Sequence, residues 1–223
     1  MTRRALVFAK VVVWCACLAP LALLVIRAFG LGGTSLGANP VEAILDVCGK
    51  TGLNLLVFTL CITPVRRATG FNRLISFRRL LGLFAFFYVV LHFLTYAVLD
   101  LGLMWATLLI DITDRPYITV GFAALVLLIP LAVTSTQGFQ RRLGRNWMRL
   151  HKLIYLIAVL ALVHYWWQIK SKADVAEPLL YAGTIAMLLG VRVQHWREIQ
   201  RKRARSVNSK TTMAPTYQRV EPP

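Results

Sequence analysis

Residues 141–170, RRLGRNWMRLHKLIYLIAVLALVHYWWQIK, open in a basic cluster, run through 17 uncharged residues at 153–169, and close on aromatics and a lysine. That profile predicts a membrane-spanning helix with its positive end in the cytoplasm and an aromatic belt at the far side. The stretch carries two histidines, His151 and His164, thirteen residues apart. At a rise of about 1.5 Å per residue they lie about 20 Å apart, most of a ~30 Å hydrocarbon core. Imidazoles near opposite faces of a membrane suggest two stacked metal centres.

The rest of the chain fits a membrane setting. Of 223 residues, 57% are hydrophobic and 16% charged, against about 25% charged in soluble domains. Uncharged runs occupy 11–26, 51–65, 80–99, 116–140, 153–169 and 178–191. They predict an all-α integral membrane protein, a six-transmembrane-helix bundle, if the shorter runs extend into their flanks. The second span starts near Val41, and the sixth, with only 14 uncharged residues, needs Arg192 to snorkel. The first run is long and no small-x-small cleavage site follows it, so it is retained as a span. Residues 101–110, apolar but too short to cross, form an interfacial segment. Residues 1–197 make the transmembrane domain, and 198–223 a basic, disordered tail. No internal repeat is evident.

Charge placement sets the orientation. With both termini on one side, that side collects 21 of the 26 Lys and Arg residues. Only Arg27, Lys50, Arg115, Lys170 and Lys172 fall opposite, with seven of the nine acidic residues. The basic face, with the N- and C-termini, is therefore cytoplasmic. The net charge of +17 reflects topology and attraction to anionic membrane lipids, and not a nucleic-acid footprint. The four cysteines, Cys15, Cys17, Cys48 and Cys61, form no CxxC pair and read as small buried hydrophobes.

All four histidines, His92, His151, His164 and His195, fall within or beside proposed spans. An ionisable group at membrane depth is costly and marks a functional site by default, although histidine also makes plain interhelical hydrogen bonds. His92 lies about 18 Å along an outward-running third helix, at nearly the depth of His164 on the fifth. Two histidines on two helices at one depth are what six-coordinate haem requires. His151 lies at the cytoplasmic end, about 140° around an ideal helix from His164. Its partner is open: His195 is one candidate. Arg78, fourteen residues before His92 and so roughly beneath it, is the other, with Arg79 alongside. Arginine stays protonated, so its default role there is to pair with haem propionates.

Other chemistries lack a signature. No HxxxH or CxxC cluster suggests zinc, no GxSxG or HExxH suggests hydrolysis, and no GxGxxG suggests a nicotinamide cofactor bound by this chain. Electrons would come from a quinol in the bilayer or from another protein.

The segments TPVRR (63–67), RRLLGLFAFFYVVLH (78–92), DRPYITVGF (114–122), PLAVTST (130–136), RRLGRNWMRLHKLIY (141–155) and HYWWQIK (164–170) resemble the ferric-reductase-like transmembrane family. Within it they are similar to the haem-binding membrane subunits of methionine sulfoxide reductase systems. The resemblance implies a b-type cytochrome of the bacterial inner membrane with one or two haem b groups, held through His92, His151 and His164. It implies electron flow from the quinone pool, with FMN as a further cofactor, to a periplasmic molybdenum-containing catalytic subunit that reduces methionine sulfoxide in oxidised proteins. The catalytic site would then lie on the partner, docked against 111–117 and 170–177. The wider family has a second histidine low on the third helix, where this chain has Arg78 and Arg79. A stand-alone ferric reductase and a non-redox transporter or scaffold are the rival readings.

Overall fold

The computed structural model describes residues 2–168 and 175–212. Helix α1 (Arg3–Ala28) starts at Thr2, whose hydroxyl accepts the Ala5 N–H. Helix α2 (Pro40–Thr69) is fixed at both ends. The Asn39 side chain accepts the Glu42 N–H at 3.3 Å, Pro40 fills the first turn, and Gly70 closes the helix at φ 70°. Next come α3 (Ile75–Leu94), a π-helical turn over Thr95–Asp100, and the short α4 (Trp105–Asp114). They are followed by α5 (Pro116–Val133), α6 (Gln137–Leu143), α7 (Arg145–Leu150), α8 (Leu153–Trp167) and α9 (Ala176–Thr212). Among the described residues, six helical segments are long and apolar enough to cross a membrane. Every regular element there is helical, so the chain is an all-α, multi-pass membrane protein.

Three boundaries differ from the sequence expectation. The fourth span ends at Val133, because the hydroxyls of Thr134 and Ser135 turn back onto the carbonyls of Pro130 and Leu131 and Thr136 caps a new helix. The fifth is not one helix. Gly144, at φ 48° and ψ −116°, separates α6 from α7, and a turn at His151 and Lys152 separates α7 from α8. An ideal-helix angle between His151 and His164 therefore does not apply. Finally, α9 continues through Thr212, where residues 197–205 are rich in the good helix formers Arg, Lys, Gln and Ala. Residues 213–223 lie outside the described residues, as do 169–174, which take in the 170–174 part of the expected docking face.

The bundle is built from two tightly packed helix pairs, α2 with α3 and α5 with α8. Small residues permit the approach: Ala85, Ala158 and Cys48 are all but inaccessible. A Cβ on Gly52 would sit 3.1 Å from Val89. Helix α9 lies against α8 and α2, and α1 makes fewer contacts, with α2 and α3. The Trp14 ring stands edge-on to Phe84, and a polar insertion also ties α1 down. Pro20 interrupts the helix, and the hydroxyl of the fully buried Tyr88 on α3 enters the gap. It donates to the Cys17 carbonyl at 2.7 Å and accepts the Leu21 N–H at 3.2 Å, the two ends of one helical hydrogen bond.

Candidate functional site

At the end of the bundle where α3 and α8 finish, His92 and His164 face each other. Their ring centroids are 6.1 Å apart and their planes 85° apart. Both rings are anchored in the same way. His92 Nδ1 is bonded to the Leu45 carbonyl at 2.9 Å, and His164 Nδ1 to the Tyr117 carbonyl at 2.7 Å. A carbonyl accepts only, so Nδ1 carries the proton in each and Nε2 keeps its lone pair free for a metal. Behind each ring stands a glycine one turn past that carbonyl. A Cβ on Gly49 would lie 3.1 Å from His92 Nδ1, and one on Gly121 only 2.7 Å from His164 Nδ1.

These contacts form a repeat. Leu45, Gly49 and His92 become Tyr117, Gly121 and His164 when 72 is added to each number. The α2–α3 and α5–α8 pairs thus present the same carbonyl–glycine–histidine device from opposite sides. Sequence reasoning missed it because the other residues that recur at this offset in these helices are leucines, common in any apolar span. The recoverable signal was a glycine 43 residues before each histidine.

The spacing suits a metal that brings its own remaining ligands. Among the described residues no group of three or more His, Cys, Asp or Glu side chains converges on a metal position. Two imidazoles on opposite sides of one metal, each bond about 2 Å and each ring centre roughly 1 Å further, stand roughly 6 Å apart. A porphyrin supplies four nitrogens in the plane and needs only the two axial ones. The observed pair fits that demand.

Beyond this pair the bundle is closed by a polar latch. Tyr96, one turn past His92, donates to Asp111 Oδ2 at 2.5 Å, and Arg115 Nε lies 3.2 Å from Asp111 Oδ1. Asp111 is only 6% exposed. The latch ties α4 to the π-helical turn that follows α3.

The opposite end is organised differently. His151 Nδ1 is bonded to the Trp147 carbonyl one turn back at 3.2 Å, and the Trp147 ring stacks on it with centroids 4.0 Å apart. Trp147 is itself fixed by donation from Nε1 to the Thr134 carbonyl at 2.9 Å. The charge of Arg78 acts on the His151 ring, while Arg79 is exposed. Arg78 also lies in the field of Tyr155 and Arg192. Among the described residues no hydrogen bond or ring contact joins His195 to His151. Arg192 does more than snorkel. One nitrogen donates to the Leu188 carbonyl at 2.9 Å, another to the Leu60 carbonyl, and the guanidinium lies over the Tyr155 ring at 5.3 Å. The Leu60 carbonyl is free to accept because Pro64, four residues on, has no N–H. Among the described residues, Arg66 Nε and Ser76 Oγ are buried without a hydrogen-bond partner.

Comparison with known proteins agrees with this architecture. The family described as ferric reductase like transmembrane component matches residues 48–162. The protein-methionine-sulfoxide reductase heme-binding subunit MsrQ of Xanthomonas oryzae pv. oryzae is 48% identical over 211 residues, covering 93% of this chain and 95% of that one. The same subunit of Xanthomonas axonopodis pv. citri is 51% identical, covering 89% and 90% of the two chains. That of Ralstonia nicotianae is 50% identical, covering 82% and 84%. No solved structure matches the chain. Two paired helix hairpins, a facing histidine pair and relatives at about half identity over most of the length lead to one assignment: the chain belongs to the ferric-reductase-like transmembrane family, with the MsrQ heme-binding subunits.

Proposed function

We propose that this chain is the haem-binding membrane subunit of a protein-methionine-sulfoxide reductase system, a b-type cytochrome of the bacterial inner membrane. The observation that carries the reading is the facing pair His92 and His164, each held by a backbone carbonyl through Nδ1. Bound between them, a haem supplies a one-electron centre. The protein's own part is to hold both imidazoles in one tautomer, to keep their planes crossed, and to exclude water from that end through α4 and its latch.

Charge placement orients the path. The termini and the 66–79 and 141–152 loops, where Lys and Arg concentrate, face the cytoplasm. The His92/His164 site then lies in the periplasmic half and serves a periplasmic, molybdenum-containing catalytic subunit, where methionine sulfoxide is reduced. The outer face docks that subunit. Electrons enter from the quinone pool, with FMN as a further carrier. At the cytoplasmic end, His151 would supply one ligand to a second haem, and Arg78 would pair with its propionates. Arg78 is half-buried and its charge reaches that imidazole, which suits a forked donor to a carboxylate and not an iron ligand.

The test is the visible spectrum of the purified protein, oxidised and dithionite-reduced, after expression with ample haem. A reduced b-type spectrum is expected, lost in large part in His92→Ala and His164→Ala. A colourless wild type, or two variants with unchanged spectra, refutes the reading.

A further inference from the structure

The two halves of the His92/His164 site match in backbone and differ in their flanks. On each flank the residue after one histidine is linked, directly or through a third group, to the residue after the other pair's glycine. On one flank these are Phe93 and Phe122, with ring centroids 5.7 Å apart. On the other they are Tyr165 and Lys50, which do not meet directly. Both bind the same atom, Oε2 of Glu177 at the start of α9, at 2.7 Å from the Tyr165 hydroxyl and 2.8 Å from Lys50 Nζ. The repeat is thus broken by a carboxylate from a helix outside it. Tyr181 secures α9 at this spot, its ring edge-on to Tyr165 and its hydroxyl donating to Asn54. Asp46, next to the carbonyl that anchors His92, adds a further charge, which acts on Lys50, Tyr165 and His92.

A partly exposed ion pair contributes little to stability, so fold alone gives this one little reason to be here. Its position does. Lys50 directly follows the glycine that backs one imidazole, and Tyr165 directly follows the other imidazole. Glu177 is bonded to Tyr165, so even with solvent screening the charges of Lys50 and Glu177 act on any group whose own charge changes between the rings.

We propose that Lys50 and Glu177 are positioning residues that set the midpoint potential of the redox centre held by His92 and His164. The inference rests on the haem reading of that pair. Glu177 favours the oxidised, more positive form and Lys50 the reduced one, so paired they nearly cancel. The carboxylate comes from the sixth span, which makes α9 the element that trims the driving force for transfer to a partner.

Redox titration of the purified full chain, followed by the reduced-haem absorbance, tests this. At a fixed ambient potential, Glu177→Gln is expected to raise the reduced-to-oxidised ratio at least threefold and Lys50→Gln to lower it by a similar factor. The double variant returns towards wild type, and Tyr165→Phe, which alters no charge, stays close to it. Shifts of one sign in both single variants, no shift in either, or loss of the haem spectrum in either overturns the assignment, since each marks a purely structural role or none. A wild type without haem, or a spectrum unchanged in both His92→Ala and His164→Ala, instead refutes the haem reading itself.

Discussion

The two ends of the bundle solve the problem of holding an imidazole in opposite ways. At one end His92 and His164 are braced by helices other than their own, each on a carbonyl 47 residues earlier in the chain. At the other, His151 is braced by its own preceding turn, through the carbonyl and ring of Trp147. Cross-helix bracing fixes a ring directly relative to the bundle, whereas His151 rests chiefly on its own α7 and reaches α5 through Trp147, held on the Thr134 carbonyl, and through the Leu131 backbone. The first end therefore has the marks of a preorganised two-ligand site. The second has one imidazole and cations, Arg78 and Arg192, which suit the acidic edge of a bound group and not a metal.

The glycines give the strongest way to break this contrast. Gly121→Ala places a Cβ 2.7 Å from His164 Nδ1, closer than van der Waals contact allows, so the ring or α5 must move. Haem content, measured as pyridine haemochrome, is expected to fall at least fivefold. Gly49→Ala, with 3.1 Å to His92 Nδ1, should cost about half. If the two variants bind haem as fully as wild type, preorganisation is not what these glycines provide. His151→Ala sharpens the comparison from the other side: the His92/His164 spectrum persists, and haem per chain drops by one if a second group sits there. An unchanged haem count would remove His151 from the ligand set.

Smaller effects follow from the ties between helices. Arg192→Met strands the Leu60 carbonyl that Pro64 leaves free, and hydrogen bonds to a charged donor are worth roughly 2 kcal/mol. Thermal unfolding in detergent should show that loss while the His92/His164 spectrum stays in place. Tyr88→Phe should cost about 1 kcal/mol or less. Its signature is site-resolved maleimide labelling: Cys17, now buried, becomes reactive towards the level of exposed Cys15. Continued protection of Cys17 would show that α1 does not depend on the hydroxyl.

The six spans and the matched depth of His92 and His164 were legible because they follow from hydropathy, rise per residue and chain direction alone. The partition of 141–170 into α6, α7 and α8 was not, since Gly144 and the turn at His151 interrupt a pattern that hydropathy reads as continuous. Nor was the role of Arg192, which becomes visible only when Pro64 on another helix is seen to free its acceptor. The glycine–histidine repeat lay in the numbering all along. Spacing alone cannot say that a glycine faces a ring and not lipid.

Tyr88 and Pro20 also bear on how the molecule is assembled. Pro20 has no N–H for the Ala16 carbonyl and loosens the turn beside it in the middle of an apolar segment, and an unpaired peptide group in hydrocarbon costs several kcal/mol. Until the third span arrives, the first span carries that penalty alone in the bilayer. The hydroxyl of Tyr88 bridges the neighbouring rung, from the Leu21 N–H to the Cys17 carbonyl, and so ties α1 to one place on α3. The break thus rewards a single docking partner. A span that buries little apolar surface is given an address in the bundle by a defect in its own hydrogen bonding.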